Sequence, residues 1–482
     1  MTLREAILTG PVLSLLAFQS LVLVILVFFP YLPDPGFSNL NNNIYLLLTP
    51  LSTILLLGVL YAWLIRLGTR LTRTRSARFD SFVRFLSEPF IKIVASVKTT
   101  SLSESAGSFK ILSRPRLMLT ISLVVSILLV LIPYRPDLNP TGSLVGIDSP
   151  LYIGWISQML ARPLPQAMQY SFVEGLEGSR PFLLIPLYLV ASAGVSPTGI
   201  IEYLPMLLAP LLSMSTYIFV RYGHSNSSLA GLTAIFSSVS FYPTVGLWGG
   251  YYANWLALIL AYLFMTSMLI VTRTPSTPKH AVTYALSIAL FLTHPWTWVL
   301  IVTVGLVFAI SLYRETRRLV HVEFIIGVIA AGVVLDMVKS LAFSTRAVGV
   351  DVTGTFQLAG ITQLANFWPN LVDALLYTHG GLLGNWVILL LGLLAAFALR
   401  FKDRFERLLM LWVAVASIPF AVLDSYHQAR LVYDLPIPVL MSVAMLFLLP
   451  QIGARSLRWP GLVIVLLLVT IANCAIQGIL LL

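Results

Sequence analysis

The chain has 482 residues, 58% of them hydrophobic and only 10% charged, with a mean hydropathy of +0.90; that balance excludes a soluble multidomain protein and points to a polytopic membrane protein. A single cysteine, Cys474, excludes a disulfide framework, a cysteine-based zinc site and a CxxC redox motif together. The net charge of +11 raises nucleic acid as a partner, and only the placement of the charges decides that question.

Apolar runs of about 17 to 25 residues can cross the hydrocarbon core as helices. The first, at about 11–30, follows Arg4 and lacks a small-residue cleavage site, so it reads as a retained span and not as a signal peptide. With a second at 44–65 it forms a two-helix N-terminal unit, 1–65, joined by the turn-rich "PYLPDPGFSNLNNN". A basic cytoplasmic segment, 66–116, follows; its stretch "FDSFVRFLSEPFIKIVASVK" is either an amphipathic helix on the inner leaflet or a solvated anchor. Further spans are expected at about 117–133, 198–220, 229–246, 252–272, 281–294, 296–313, 322–340, 381–400, 408–424 and 432–449. A last one at 460–480 lies in the C-terminal segment 451–482. The fold class expected is therefore an all-α polytopic membrane protein of about 13 transmembrane helices. Outer loops at 134–197 and 341–380 interrupt a module spanning 117–450. Within the first of them "PFLLIPLYLVASAG", 181–194, is too short to cross and begins at a proline, so an interfacial helix is expected.

With the N-terminus cytoplasmic, this arrangement puts 24 of the 30 Lys and Arg residues inside; only Arg135, Arg162, Arg180, Lys339, Arg346 and Arg430 fall outside. Topology thus accounts for the positive charge, and no nucleic-acid partner is expected. The same arrangement places the C-terminus and the loops rich in Asp, Tyr, Trp, His and Asn on the outer face, where chemistry is expected.

Four constellations carry polar groups to that face. In "GIDSPLYIGWISQML" a loop enters a helix at Ser149-Pro150. Asp148 stands there at the helix N-terminus, where the dipole favours its ionised form, as a structural N-cap or a catalytic carboxylate; Tyr152 lies one turn on. In "FYPTVGLWGGYYANWLALIL" the residues Trp248, Tyr251 and Asn254 form either an interfacial aromatic belt or a sugar platform, with rings stacking on pyranose faces and the amide binding hydroxyls. In "FLTHPWTWVL" a break at His294-Pro295 returns both flanking basic ends to the cytoplasm; His294 then lies at an outer turn as a helix cap or as a proton donor and phosphate ligand. In "DSYHQARLVYDLPIPVL" His427 and Arg430 suit an anionic phosphate, unless Arg430 pairs with Asp434 four residues on. Asp336 and Lys339 make a weaker case of the same kind. A Walker A loop, a GxGxxG helix opening, HExxH and GxSxG are all missing from the sequence, which disfavours an ATP-driven mechanism.

The order of these parts resembles the GT-C superfamily of integral membrane glycosyltransferases, which includes protein mannosyltransferases and aminoarabinose transferases. The likeness runs through a span into "GIDSPLYIGW", an interfacial helix "SRPFLLIPLYLV", the turn "AGVSPTGIIEYLPMLLAPLL", the basic inner turn "VRYGHSNSSLAGL" and the outer loop "FYPTVGLWGGYYAN". It covers roughly residues 117 to 450. The resemblance implies interfacial helices in the first large outer loop and transfer of a sugar, with inversion, from a polyprenyl-phosphate donor. The acceptor would be a glycan, lipid or protein hydroxyl at the outer face of the cell membrane. It implies Asp148 as catalytic base, Tyr152, Trp248, Tyr251, Asn254 and His294 as substrate-binding residues, and His427 and Arg430 on the phosphate. Many members carry an acidic pair in the first loop, whereas Asp148 has no acidic neighbour; no cofactor is expected, and a divalent metal is disfavoured. A transporter or flippase, which would line a midplane path with polar residues, and a non-catalytic scaffold are the competing classes.

Overall fold

A computed structural model describes residues 114–173, 178–345, 395, 399, 403–417, 423 and 425–454. The expected spans at 11–30, 44–65, 381–400 and 460–480, the segment 66–116 and the loop 341–380 lie wholly or almost wholly outside the described residues.

Helix is the regular structure among the described residues, and they contain no strand. In chain order the helices are α1 (Pro115–Leu131, extended by a 3-10 turn to Tyr134), α2 (Ser149–Leu160), α3 (Leu164–Val173), α4 (Pro181–Ser192) and α5 (Pro197–Gly223). Next come α6 (Ser227–Val239), α7 (Phe241–Gly249), α8 (Tyr252–Arg273), α9 (Thr277–Phe291) and α10 (Pro295–Thr316). The last are α11 (Val320–Phe343), α12 (Arg404–Ser417), α13 (Ser425–Tyr433) and α14 (Ile437–Ala454). Six helical stretches are long and apolar enough to cross a membrane, or seven if the bent pair α13–α14 is one span. The apolar helices fit a membrane protein.

Helix boundaries follow local chemistry. Proline opens α1, α2, α4, α5, α9 and α10 within the first two positions, where its missing N–H costs nothing. Ser196 caps α5 through Gly199 N and Asn226 caps α6 through Ser228 N and Leu229 N, satisfying donors that the helix leaves orphaned. At 12 residues, α4 is about 18 Å long, well under the roughly 30 Å hydrocarbon core, as expected for 181–194. The break at His294-Pro295 also stands, between α9 and α10.

Two boundaries differ from the sequence reading. The 241–250 stretch is not a loop: α7 fills it, because Ser240 accepts from Tyr242 N and Gly250 ends the helix in the left-handed conformation at φ +65°. The stretch read as a turn before a span at 432–449 is helix α13, and the chain bends by 52° into α14 across residues 434–436. Pro436 lies in that break and cannot supply a helical N–H.

α8 lies deep in the bundle, its apolar stretch 83% buried, after the 94% of the α6–α7 stretch and against 22% for α11. It packs against α5, α9 and α10, while α5 also packs on α1 and α6, and α10 on α11 and α12. Ala253, Ala257 and Ala261, all buried on α8, keep one face small, the way transmembrane helices approach closely.

The two ends of this bundle have different chemistry. At one, Arg273 donates to the carbonyls of Tyr222 and Gly223, Arg404 to that of Thr272, and Arg407 pairs with Glu315. α5, α8 and α10 all finish there; cations satisfy orphaned C-terminal carbonyls of α5 and α8, and on α10 Arg407 meets the Glu315 carboxylate in the last turn. At the other end α8 and α10 begin, and that end gathers the polar groups of the candidate site.

Candidate functional site

The turn that carries Asp148 docks on the α7–α8 corner through its backbone. Ile147 N donates to Trp248 O at 3.0 Å and Asp148 N to Gly249 O at 3.1 Å. The approach needs glycine: Gly146 has φ +100°, and a Cβ on Gly250 would lie 3.0 Å from the amide nitrogens of both Asp148 and Ser149. Two segments about 100 residues apart in sequence thereby become one platform.

Asp148 occupies the N-cap position of α2 without capping it. Its backbone is already helical, φ −85° and ψ −4°, and its side chain makes no cap bond, whereas a capping residue is extended so that its side chain can reach forward. The donors it would have capped are taken or missing: Ser149 N bonds Gly146 O, Pro150 has no N–H, and Leu151 N and Tyr152 N bond the carbonyl of Asp148. The half-buried carboxylate is left for other work. Burial raises its pKa, and the charges of Arg180 and Arg430 oppose that rise without cancelling it. The expected lowering by the helix dipole is outweighed by burial.

Tyr152 is fully buried. Its hydroxyl accepts from Arg180 Nη1 and, at 3.3 Å, from Ala253 N, so one oxygen ties α2 to α8 and to the segment before α4. Its ring meets Trp155 and Tyr252 edge-on at 5.1 and 5.3 Å. Beside it Ser149 Oγ and Tyr252 OH share a 2.7 Å hydrogen bond. Burial pushes the phenol of Tyr152 up, with Arg180 pulling the other way, so it stays neutral and serves to position its neighbours.

Arg180 has no site role in the sequence reading, where it counts only as an outer arginine before a proline. In the fold it is 4% exposed and lies over the rings of Tyr152 and Trp155 at 5.4 and 5.7 Å. Its charge reaches both Asp148 and His294. The signal available in sequence was the Arg-Pro pair opening an apolar helix, which fixes the start of α4 and says nothing about where the guanidinium points.

Arg430, on α13, crosses to α8 and α10. Its Nη1 donates to Asn254 Oδ1 at 2.9 Å and faces His294 Nε2 at 3.5 Å, and its guanidinium lies 5.0 Å from the centre of the Tyr251 ring. Asp434 has Oδ2 turned instead to Thr297 Oγ1, which donates to it at 2.8 Å. His294 stands at the N-cap position of α10, with its Nδ1 3.3 Å from Thr297 N and 2.9 Å from Thr297 Oγ1, and faces the site through Nε2. Its expected place at a helix end holds.

Asp148, Tyr152, Tyr251, Asn254, His294 and Arg430 thus come together at one bundle end, and Arg180 joins them. Two further expected residues make contacts of other kinds. Trp248 contributes its backbone carbonyl to the Asp148 turn, and His427 packs its ring against Trp296 at 5.5 Å. Lys339 and Asp336, 3.9 Å apart on α11, meet the chain at Gly178, whose carbonyl lies 3.4 Å from Lys339 Nζ. That contact anchors the segment leading to Arg180.

Chemically the arrangement is two guanidiniums and an imidazole around one unbridged carboxylate: groups to hold an anion, and a base to take a proton. Among the described residues no group of three or more His, Cys, Asp or Glu converges, and the charges that act on Asp148 are those of Arg180 and Arg430. Comparison of the chain with protein-family models and with curated proteins returns no match.

Proposed function

We propose that this protein is an integral membrane glycosyltransferase of the GT-C kind, moving a sugar from a polyprenyl-phosphate donor to an acceptor hydroxyl at the outer face of the membrane. The observation that carries the reading is the juxtaposition of an uncapped, half-buried Asp148 with the Arg430–Asn254–His294 cluster at one end of an apolar bundle. The outward side of that end is supported by the basic residues, which concentrate at the opposite end. Thirteen spans in all and the interfacial role of α2 to α4 belong to the same proposal.

In this mechanism Asp148 takes the proton of the acceptor hydroxyl as its oxygen attacks the anomeric carbon from the face opposite the phosphate. The bond from the anomeric carbon to the phosphate oxygen breaks, and the phosphate leaves with the electron pair. Arg430, aided by Arg180, stabilises the charge growing on it. The raised pKa of Asp148 makes it a stronger base than an exposed aspartate while its arginine neighbours keep the ionised form within reach. Tyr251 and Asn254 bind the sugar by stacking and hydrogen bonding. A lipid-borne donor matches an apolar bundle, since the spans can hold the prenyl tail.

The test is purified protein in lipid with a panel of polyprenyl-phosphate sugars, comparing wild type with Asp148→Asn. Sugar transfer that is lost in the variant supports the reading; transfer that persists undiminished removes Asp148 from the mechanism.

A further inference from the structure

Behind His294, on the side away from Arg430, runs a chain of buried polar atoms that the mechanism above does not use. His294 Nδ1 lies 2.9 Å from Thr297 Oγ1, which lies 2.8 Å from Asp434 Oδ2. All three residues are buried. Asp434 is held in place by Trp412, whose indole N–H donates to its backbone carbonyl at 3.0 Å, and its Oδ1 has no hydrogen-bond partner among the described residues. Helices α10 and α12 and the α13–α14 bend meet at this point, so the bend places a carboxylate where a straight span would have carried it past.

The protons on this chain can be assigned. A hydroxyl between a carboxylate and an imidazole donates to one and accepts from the other. Asp434 as a carboxylate only accepts, so Thr297 Oγ1–H points to it and Oγ1 accepts from His294 Nδ1–H. The opposite nitrogen then carries the lone pair, which suits its surroundings, because Nε2 faces a donor, Arg430 Nη1. One contact competes: Thr297 N also points at Nδ1, at 3.3 Å, and would need that nitrogen unprotonated. It is the longer of the two, and adopting it would turn an Nε2–H into the Arg430 guanidinium. A first-turn helical N–H is an orphan in every helix, so the shorter chain through the hydroxyl prevails.

We propose that Thr297 and Asp434 are positioning residues that fix His294 as its Nδ1–H tautomer, directing the Nε2 lone pair at Arg430 and so holding the guanidinium in its place in the site. This rests on the site described above and gives His294 a role toward Arg430 where the phosphate-ligand reading had it meet the substrate. The charged groups acting on His294 from the packed elements are Arg430, Arg180 and, through Thr297, Asp434.

The test needs no substrate. The chain has six histidines, so protein with nitrogen-15 in its histidine rings, in lipid nanodiscs, gives a tractable spectrum, and His294→Gln identifies the resonance pair. The expected wild-type pattern is a protonated Nδ1 and an unprotonated Nε2. Thr297→Val, which keeps the shape and removes the hydroxyl, should exchange the pattern to Nε2–H, and Thr297→Ser should retain the wild-type one. A wild-type Nε2–H ring, or an unchanged pattern in Thr297→Val, overturns the proposal; the wild-type spectrum decides it even if the valine variant fails to fold. The transferase reading stands or falls separately, on sugar transfer: a correct tautomer with no transfer removes the reaction and leaves the positioning role.

Discussion

Replacing Arg430 by Gln probes the site at the point where three helices meet. In the fold its Nη1 makes a charge-assisted bond to the buried Asn254 Oδ1 at 2.9 Å, and the cation lies 5.0 Å from the Tyr251 ring centre. The first is worth about 1.5–3 kcal/mol and the second about 0.5–2 kcal/mol. Glutamine recovers part of the first through its own amide, so the ground-state loss is roughly 2 kcal/mol, seen as a lowered Tm in lipid or detergent. Catalysis should suffer separately. A donor aimed at charge developing in the transition state contributes about 10²–10³ in kcat, or roughly 2.7–4 kcal/mol. Arg430→Lys keeps the charge and loses the planar fork, so it should fall between the two. The assay is initial rate of sugar transfer from a polyprenyl-phosphate donor at saturating donor, with Tm measured on the same preparations. A kcat within about threefold of wild type in Arg430→Gln would refute the role assigned to the guanidinium, because that is far short of the loss a charge-stabilising donor entails.

Asp148→Asn should lower kcat by about 10²–10⁴ and leave Tm unchanged or slightly raised, because the carboxylate caps nothing. The sign of that stability effect follows from its raised pKa: the folded chain holds the Asp148 proton to higher pH than the unfolded chain. Stability is therefore fullest below the ordinary aspartate value and declines as pH rises through the folded one, and the asparagine variant should flatten that decline in Tm measured against pH. Arg180→Gln removes a charge that restrains the rise, so the acid limb of the kcat/KM profile, where Asp148 must be ionised, should move to higher pH, while Arg180→Lys should leave it near wild type. Gly250→Ala places a Cβ against the Asp148 and Ser149 amides at φ +65°; it should cost about 1 kcal/mol or more in stability, read from Tm, and reduce transfer by displacing the turn.

Most of the residues that come together at this bundle end were legible in the sequence as polar groups at helix ends, for reasons that are local. Proline after Ser149 and after His294 breaks or opens helices whatever surrounds it, so both residues were placed at helix ends. Residues it misjudged were those whose role depends on a distant partner. Asp148 looked as much a cap as a catalyst, and only the helical backbone at 148, with the donors already taken by Gly146 and Asp148 carbonyls, removes the cap reading. Asp434 looked like an ion-pair partner for Arg430 at helical spacing, yet the bend after Tyr433 turns it toward Thr297 instead. Arg180 was passed over because it lies in a loop and a guanidinium's direction has no sequence signature.

By itself the sequence determined that the described residues are helical and apolar, where α1, α2, α4, α5 and α10 begin, and that the positive charge concentrates at one end of the bundle. Those properties depend on neighbours within a turn or two, through helix-terminal hydrogen bonding and the transfer of side chains into an apolar surround. The tertiary structure alone decided which polar groups meet. Arg430 reaches Asn254 across 176 positions of chain and Thr297 reaches Asp434 across 137, distances over which no periodicity carries information. A buried polar group must find its partner wherever packing places one.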